Sequence, residues 1–105
     1  MALSLSSRRD VDTVTVLVAG ELDLSTAEQL EDEVAALVAG DATRTILLDF
    51  AGVTFIDSAG INTLLAGRRL ADGQDRRYRI VGAGGLVRDL LEMTGVWSHL
   101  TGQDR

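Results

Sequence analysis

The start of the chain alternates between apolar and polar positions. Val14, Val16 and Val18 lie on one face of the run over residues 11–18, which predicts a β-strand. A shorter alternation at Leu3-Ser4-Leu5 predicts an edge strand, which turns through Arg8-Arg9-Asp10 into the longer one. The chain is therefore expected to open with two strands.

The apolar positions change to helical spacing after Gly20. The stripe of apolar residues predicts a helix that Gly40 ends; its members are Ala27, Leu30, Val34, Leu37 and Val38. Ser25 and Glu28 stand at the spacing of a capping box, which predicts that Ser25 caps this helix. Thr45 to Phe50 is a continuous apolar run, typical of a strand buried on both faces, and a loop is expected over 51–57.

The second half continues to alternate between helical and extended patterns. A helix beginning at Asp57 or Ser58 should turn four apolar residues inward, namely Ile61, Leu64, Leu65 and Ala71. Gly67 interrupts that helix, and close packing against a neighbouring element would compensate. Tyr78 to Val81 predicts a strand, 82–85 a turn, 86–91 a third helix ended by Gly95, and 96–100 a last short strand.

This order predicts an α/β fold in one domain over residues 1–105. The expected architecture is a mixed β-sheet flanked by helices, mostly parallel with an antiparallel N-terminal strand. No apolar run is long enough to cross a membrane, and the N-terminus lacks the pattern of a signal peptide. These features predict a cytoplasmic protein that has no direct contact with the membrane.

Composition excludes several kinds of chemistry. The chain has no cysteine, so disulfides, zinc–thiolate sites and thiol catalysis are impossible. A net charge of −6 argues against nucleic acid as the main partner. Acidic residues dominate 21–57 and arginines dominate 68–88, which is either a solvated surface or an acidic patch that meets a basic partner.

The segment Phe55-Ile56-Asp57-Ser58-Ala59-Gly60 is the strongest candidate site, because it places Ser58 at a helix N-terminus. One interpretation is purely structural, with Asp57 or Ser58 as the N-cap. The other is functional, because free N–H groups and the positive end of the helix dipole tolerate a phosphate. A hydrolase is disfavoured, since Ile56 replaces the first glycine of the nucleophile motif and His99 is the only available base.

Other candidate motifs are weaker. The turn Gly82-Ala83-Gly84-Gly85 resembles a dinucleotide loop, but Val87 replaces its third glycine. The chain has no lysine, which excludes a Walker loop and leaves Asp49 without the partners of a receiver-domain phospho-acceptor. Asp23, Asp49 and Asp57 are expected to gather at one sheet edge, where ligands of open α/β sheets bind, with no carboxylate–histidine metal site and no cofactor indicated.

Five motifs, in order along residues 10–100, resemble the STAS domain of bacterial anti-sigma factor antagonists. They are Gly20-Glu21-Leu22-Asp23, Thr26-Ala27, Leu47-Leu48-Asp49, the segment from Phe55 to Gly60, and Leu90-Leu91-Glu92-Met93-Thr94-Gly95-Val96. The sequence departs from the family at Leu24-Ser25, which is often more polar in relatives. It also leaves only residues 101–105 for a C-terminal helix, which should be missing or very short.

The resemblance implies a partner switch without enzymatic activity. In that family the serine of the D-S-x-G motif is phosphorylated by an anti-sigma factor that is also a serine kinase. A serine phosphatase restores the unphosphorylated form. Carried over, Ser58 is the acceptor, and the predicted partner-binding residues are Asp23, Thr26, Asp57, Ala59 and Gly60. Two alternatives stay open: a scaffold STAS domain of a larger signalling assembly, and a small-ligand or nucleotide-binding module that uses the turn at 82–85.

Overall fold

The computed structural model describes residues 2–102, which form four strands and four helices. In chain order they are β1 (Leu3–Asp10), β2 (Thr13–Leu22), α1 (Ala27–Ala39), β3 (Thr45–Ile56), α2 (Ser58–Gly73), β4 (Arg77–Val81), α3 (Gly85–Met93) and α4 (Trp97–Thr101). The sheet order is β1-β2-β3-β4, with β1 antiparallel to β2 and the other pairs parallel. The predicted mixed sheet flanked by helices is confirmed.

The core lies on one face of the sheet. Alternate residues of the strands are buried there, namely Val14, Val16, Val18, Ile46, Leu48, Phe50, Tyr78 and Ile80. On the opposite face Leu47 is only half-buried, between Thr15 of β2 and the exposed Arg79 of β4. The expectation that β3 is buried on both faces is therefore wrong, because the buried positions alternate along it.

The segment predicted as a loop after Phe50 is strand. β3 continues to Ile56, and its pairing with β2 shifts register twice, between Leu17 and Ala19 and between Gly20 and Glu21 of β2. Each shift places an extra β3 residue against β2, so burial in this stretch recurs at every third residue. The bulges break the two-residue alternation that reveals a strand in a sequence.

Two further boundaries differ from the prediction. Arg8 and Arg9 belong to β1 and pair with Thr15 and Val14, and the chain turns at 11–12, with Val11 at a φ of 57°. The C-terminal segment predicted as a strand is helix α4, which is five residues long. The resemblance implied a further helix within residues 101–105 that is missing or very short; of these residues, Thr101 ends α4, and residues 103–105 lie outside the described part.

Gly67 packs as predicted against a neighbouring element. A β-carbon at this position would lie 2.7 Å from the Tyr78 hydroxyl oxygen. That hydroxyl donates a hydrogen bond to the Leu64 carbonyl at 2.9 Å, and the tyrosine is only 3% exposed. The glycine therefore allows α2 to lie directly on β4.

We expect stability to fall at alkaline pH because of Tyr78, the chain's only tyrosine. Burial raises the pKa of Tyr78 well above its ordinary value, and the charge of Arg68 offsets only part of that rise. Below about pH 10 the tyrosine is neutral in both the folded and the unfolded protein, and its full contribution to stability is present. Above that pH the tyrosine ionises only in the unfolded protein, so the free energy of unfolding drops by up to about 1.4 kcal/mol per pH unit.

Urea denaturation at about pH 9 and about pH 11 checks this expectation. The sequence has no lysine or cysteine, so no other side chain titrates in that range. Tyr78→Phe is the control and should lose much less stability over the same interval. Equal losses in both proteins would show that Tyr78 is not the responsible group.

Candidate functional site

The loops that follow β2 and β3 meet at one edge of the sheet. Leu22 pairs with Ile56 in the parallel register, and the backbone N–H of Asp57 donates to the Leu22 carbonyl at 3.3 Å. Asp23 and Asp57 therefore follow paired positions on neighbouring strands. Their expected meeting at this edge is confirmed.

Asp49 does not join them, and this part of the prediction is wrong. It pairs with Leu17 and Val81, well before the end of β3. Its carboxylate accepts a hydrogen bond from the backbone N–H of Ala51 at 3.0 Å. The extension of β3 past Asp49 carries Asp57 several residues further along the sheet.

Asp57 is the N-cap of α2, and Ser58 is the first residue of the helix. The Asp57 carboxylate accepts a hydrogen bond from the Gly60 N–H at 2.9 Å, so the structural role considered for this pair belongs to Asp57. Ser58 is exposed, and its hydroxyl has no hydrogen-bond partner among residues 2–102. The serine is therefore free to react or to contact a partner.

Gly60 holds the start of α2 against the end of β2. A β-carbon there would lie 2.6 Å from the Leu22 carbonyl oxygen and 2.8 Å from Cγ1 of Ile56. Gly60 is itself buried, and Ala59 is half-buried. Gly60 thus positions Ser58 by close packing and offers little surface to a partner.

The loop before α1 is organised around Asp23. Its carboxylate accepts hydrogen bonds from the Ser25 hydroxyl at 2.6 Å and the Ser25 N–H at 2.9 Å, and the Thr26 hydroxyl oxygen lies 3.3 Å from it. The bond from the Ser25 side chain is the main cause that lowers the pKa of Asp23. The carboxylate therefore stays ionised at neutral pH and faces the same edge of the sheet as Ser58.

Ser25 and Thr26 contribute to this loop in different ways. Ser25 does not cap α1; the N-cap position is Thr26, without a side-chain capping bond, so the capping-box prediction is wrong. Thr26 is only 5% exposed, and its hydroxyl donates to the Glu21 carbonyl at 2.8 Å. Thr26 therefore stabilises the loop from its buried side. An Asp followed two residues later by Ser is the spacing of an Asx-turn, and this spacing is the sequence signal for the bond between Ser25 and Asp23.

Two exposed apolar side chains border the site, and neither was among the predicted partner-binding residues. Leu24 is 81% exposed in the loop before α1, and Phe55 is 47% exposed near the end of β3. The apolar Leu24 in a polar loop is a usable sequence signal. The exposure of Phe55 follows from the bulges in β3, which no simple alternation predicts.

The turn at 82–85 has a structural explanation. Gly82 has a φ of 74°, and a β-carbon there would lie 2.8 Å from Oδ1 of Asp49. The glycine is thus required by its backbone conformation and by its close approach to Asp49.

Across residues 2–102 no group of His, Cys, Asp or Glu side chains could hold a metal ion. No described helix is long and apolar enough to span a membrane.

The fold and the site together define a mixed α/β domain that presents a free serine at the start of its second helix. Residues 5–101 match the family model described as "Mlab, STAS domain", so the chain belongs to the STAS domain family.

A similar curated protein is the anti-sigma-F factor antagonist RsfB of Mycobacterium tuberculosis, 32% identical over 83% of this chain and 70% of that one. An anti-sigma factor antagonist from Mycobacterium paratuberculosis has a similar structure, with a TM-score of 0.82, 26% identity and coverage of 95% and 83%. Phosphorylated SpoIIAA of Bacillus shares the fold, with a TM-score of 0.71, 24% identity and coverage of 91% and 87%.

The cap assignment makes a direct prediction. Asp57→Ala should destabilise the domain by about 0.5–2 kcal/mol, because the Gly60 N–H loses its acceptor. Ser58→Ala should change the free energy of unfolding by less than about 0.5 kcal/mol, because the hydroxyl makes no bond. Chemical denaturation of the two variants measures both, and a larger loss for Ser58→Ala would reverse the roles assigned to these residues.

Proposed function

We propose that this protein is an anti-sigma factor antagonist that is switched at Ser58. Its unphosphorylated form binds an anti-sigma factor serine kinase, which then releases its sigma factor. Phosphorylation of Ser58 ends that binding, and a serine phosphatase restores it. The domain acts in the cytoplasm and has a regulatory, non-enzymatic role.

The observation that carries the proposal is the state of Ser58. Its hydroxyl is exposed and unbonded at the first position of α2, while Asp57 supplies the cap. A phosphate can therefore be added without removing a structural hydrogen bond. It would lie beside N–H groups at the helix start, which favour an anion.

The relatives support the same function. RsfB and the Mycobacterium paratuberculosis protein are both anti-sigma factor antagonists. SpoIIAA, which shares the fold, is an anti-sigma factor antagonist for which a phosphorylated form has been solved. The similarity to the first two extends over most of this chain. It includes the loop before α1 and the start of α2, which form the edge described above.

The partner-binding residues divide into two groups by exposure. Asp23 and Asp57 are half-buried carboxylates on either side of the edge, available to a basic partner surface. Thr26 and Gly60 are buried and act by holding the two loops together. Ala59, half-buried beside Ser58, limits the side-chain bulk next to the reacting hydroxyl.

Phosphopeptide mapping tests the assignment of the acceptor. After incubation with the cognate kinase and ATP, mass spectrometry should find phosphate on Ser58 alone. Ser25 is an internal comparison, since it is also exposed but donates its hydroxyl to Asp23. Phosphate on Ser25, Thr26 or Thr54 in place of Ser58 would refute the proposal.

A further inference from the structure

A basic groove runs along β4, between the C-terminal half of α2 and the short helix α4. Its volume is about 640 Å³, and its charged lining consists of Arg68, Arg76, Arg77 and Arg79 against the single acid Asp72. Four guanidinium groups thus face one carboxylate, in a chain whose net charge is −6. The net charge of the groove is therefore opposite in sign to the net charge of the chain.

Protein contacts hold two of these arginines in place. Arg68 forms an ion pair with Asp72 at 3.1 Å and also donates to the His99 carbonyl. Arg76 donates to the Gly40 carbonyl at 3.1 Å. These contacts restrict the side chains of Arg68 and Arg76.

Arg77 and Arg79 are the groups left for a ligand. Both are exposed, and neither forms an ion pair with any residue in the described range 2–102. A side chain at Gly102 would collide with the Arg79 guanidinium, so the glycine leaves room for that group. The chain has more acids than bases, yet these two guanidinium groups stay unpaired.

The spacing of the two arginines indicates the form of the ligand. As alternate residues of one strand, Arg77 and Arg79 leave the backbone on the same face, with their Cα atoms about 7 Å apart. In an extended polypeptide, side chains at every second residue repeat at that distance. A guanidinium pairs well with a carboxylate, so two carboxylates on alternate residues would meet both arginines.

We propose that this groove binds an extended acidic segment of a partner protein, with Asp or Glu at every second residue. The chain's negative charge repels a long polyanion such as nucleic acid, whereas a short segment meets only the local positive field. Ten residues of α2 separate Ser58 from Arg68, which is about 15 Å. The groove is therefore a separate surface from the start of α2, and the inference does not depend on the proposed function.

Fluorescence anisotropy with a labelled synthetic peptide that alternates glutamate and serine tests this inference. At low salt the peptide should bind the wild-type chain, and salt should weaken binding. Arg77→Gln combined with Arg79→Gln should weaken it by about tenfold or more. The matched control combines Arg8→Gln with Arg69→Gln, two exposed arginines outside the groove, and should keep its affinity within about twofold.

Two further probes test the stated chemistry. A peptide with the same number of glutamates at every third position should bind more weakly, and inorganic phosphate should compete poorly. A Ser58→Glu variant should bind the peptide unchanged, which separates this surface from the switch. The inference is overturned if the wild type does not bind, if both double variants lose affinity equally, if glutamate spacing has no effect, or if phosphate displaces the peptide at similar concentration.

Discussion

Phosphorylation of Ser58 should weaken binding to the cognate kinase on the order of a hundredfold and leave the domain folded. Inside the domain the phosphate adds roughly −1.5 to −2 charge. Free N–H groups at the start of α2 favour that charge, and the neighbouring Asp57 carboxylate opposes it. Because these effects partly cancel, the melting temperature should stay close to that of the unmodified protein.

The loss of affinity arises at the interface. Under the proposed function, the nucleotide phosphates of the kinase would lie close to the new phosphoserine after phosphoryl transfer. One pair of unit charges about 5 Å apart costs roughly 3 kcal/mol at an effective dielectric constant of 20. Since each 1.4 kcal/mol is about a factor of ten in affinity, a single such repulsion is sufficient for the predicted effect.

Calorimetric titration of the kinase with phosphorylated and unmodified protein measures this effect. Ser58→Ala is the control, which should bind like the unmodified protein and remain bound in the presence of ATP. A large drop in melting temperature on phosphorylation would show that the phosphate disrupts the fold. Unchanged affinity would show that Ser58 is not the switch.

Gly60→Ala should destabilise the domain by about 1–3 kcal/mol, although alanine is the better helix former. The new methyl group would overlap the Leu22 carbonyl and the Ile56 side chain. Leu22 is 0% exposed and its carbonyl also accepts from Asp57, so the strand end has little freedom to move. Separating β2 from α2 would also displace Ser58 from the loop that carries Asp23.

Gly73, at the other end of the same helix, is the matched control. A β-carbon there meets no atom within 4 Å. Gly73→Ala should therefore be neutral or stabilising by up to about 1 kcal/mol, through helix propensity alone. Urea denaturation of the two variants should give changes of opposite sign, and equal changes would contradict the close-packing role of Gly60.

Most of the fold could be predicted from local patterns. The valines of β2 alternate without interruption, and the apolar stripe of α1 recurs at helical spacing up to Gly40. Those signals depend only on the chain near each residue. The second half of β3 gave no such signal, because its bulges shift the buried positions to Val53 and Ile56. Segment 96–100 was too short for the spacing of its apolar residues to distinguish a strand from a helix.

The site could be predicted only in part, because only some of its features depend on local sequence patterns. The helix start at Ser58 follows from a local motif, which the Asp57 cap confirms. The separation of Asp49 from Asp23 depends on the register between β2 and β3, and no single segment contains that information. The burial of Thr26 likewise arises from a loop that folds back on itself through the Glu21 carbonyl.

The central claim is that the phosphate on Ser58 decides whether the partner binds. A comparative pull-down from extract of the source organism, with three baits, tests it most directly. The baits are the unmodified protein, Ser58→Ala and the protein phosphorylated at Ser58, each checked for folding by circular dichroism. The account predicts that the first two retain the same serine kinase and that the third loses it. Equal retention of that kinase by all three baits would contradict the account.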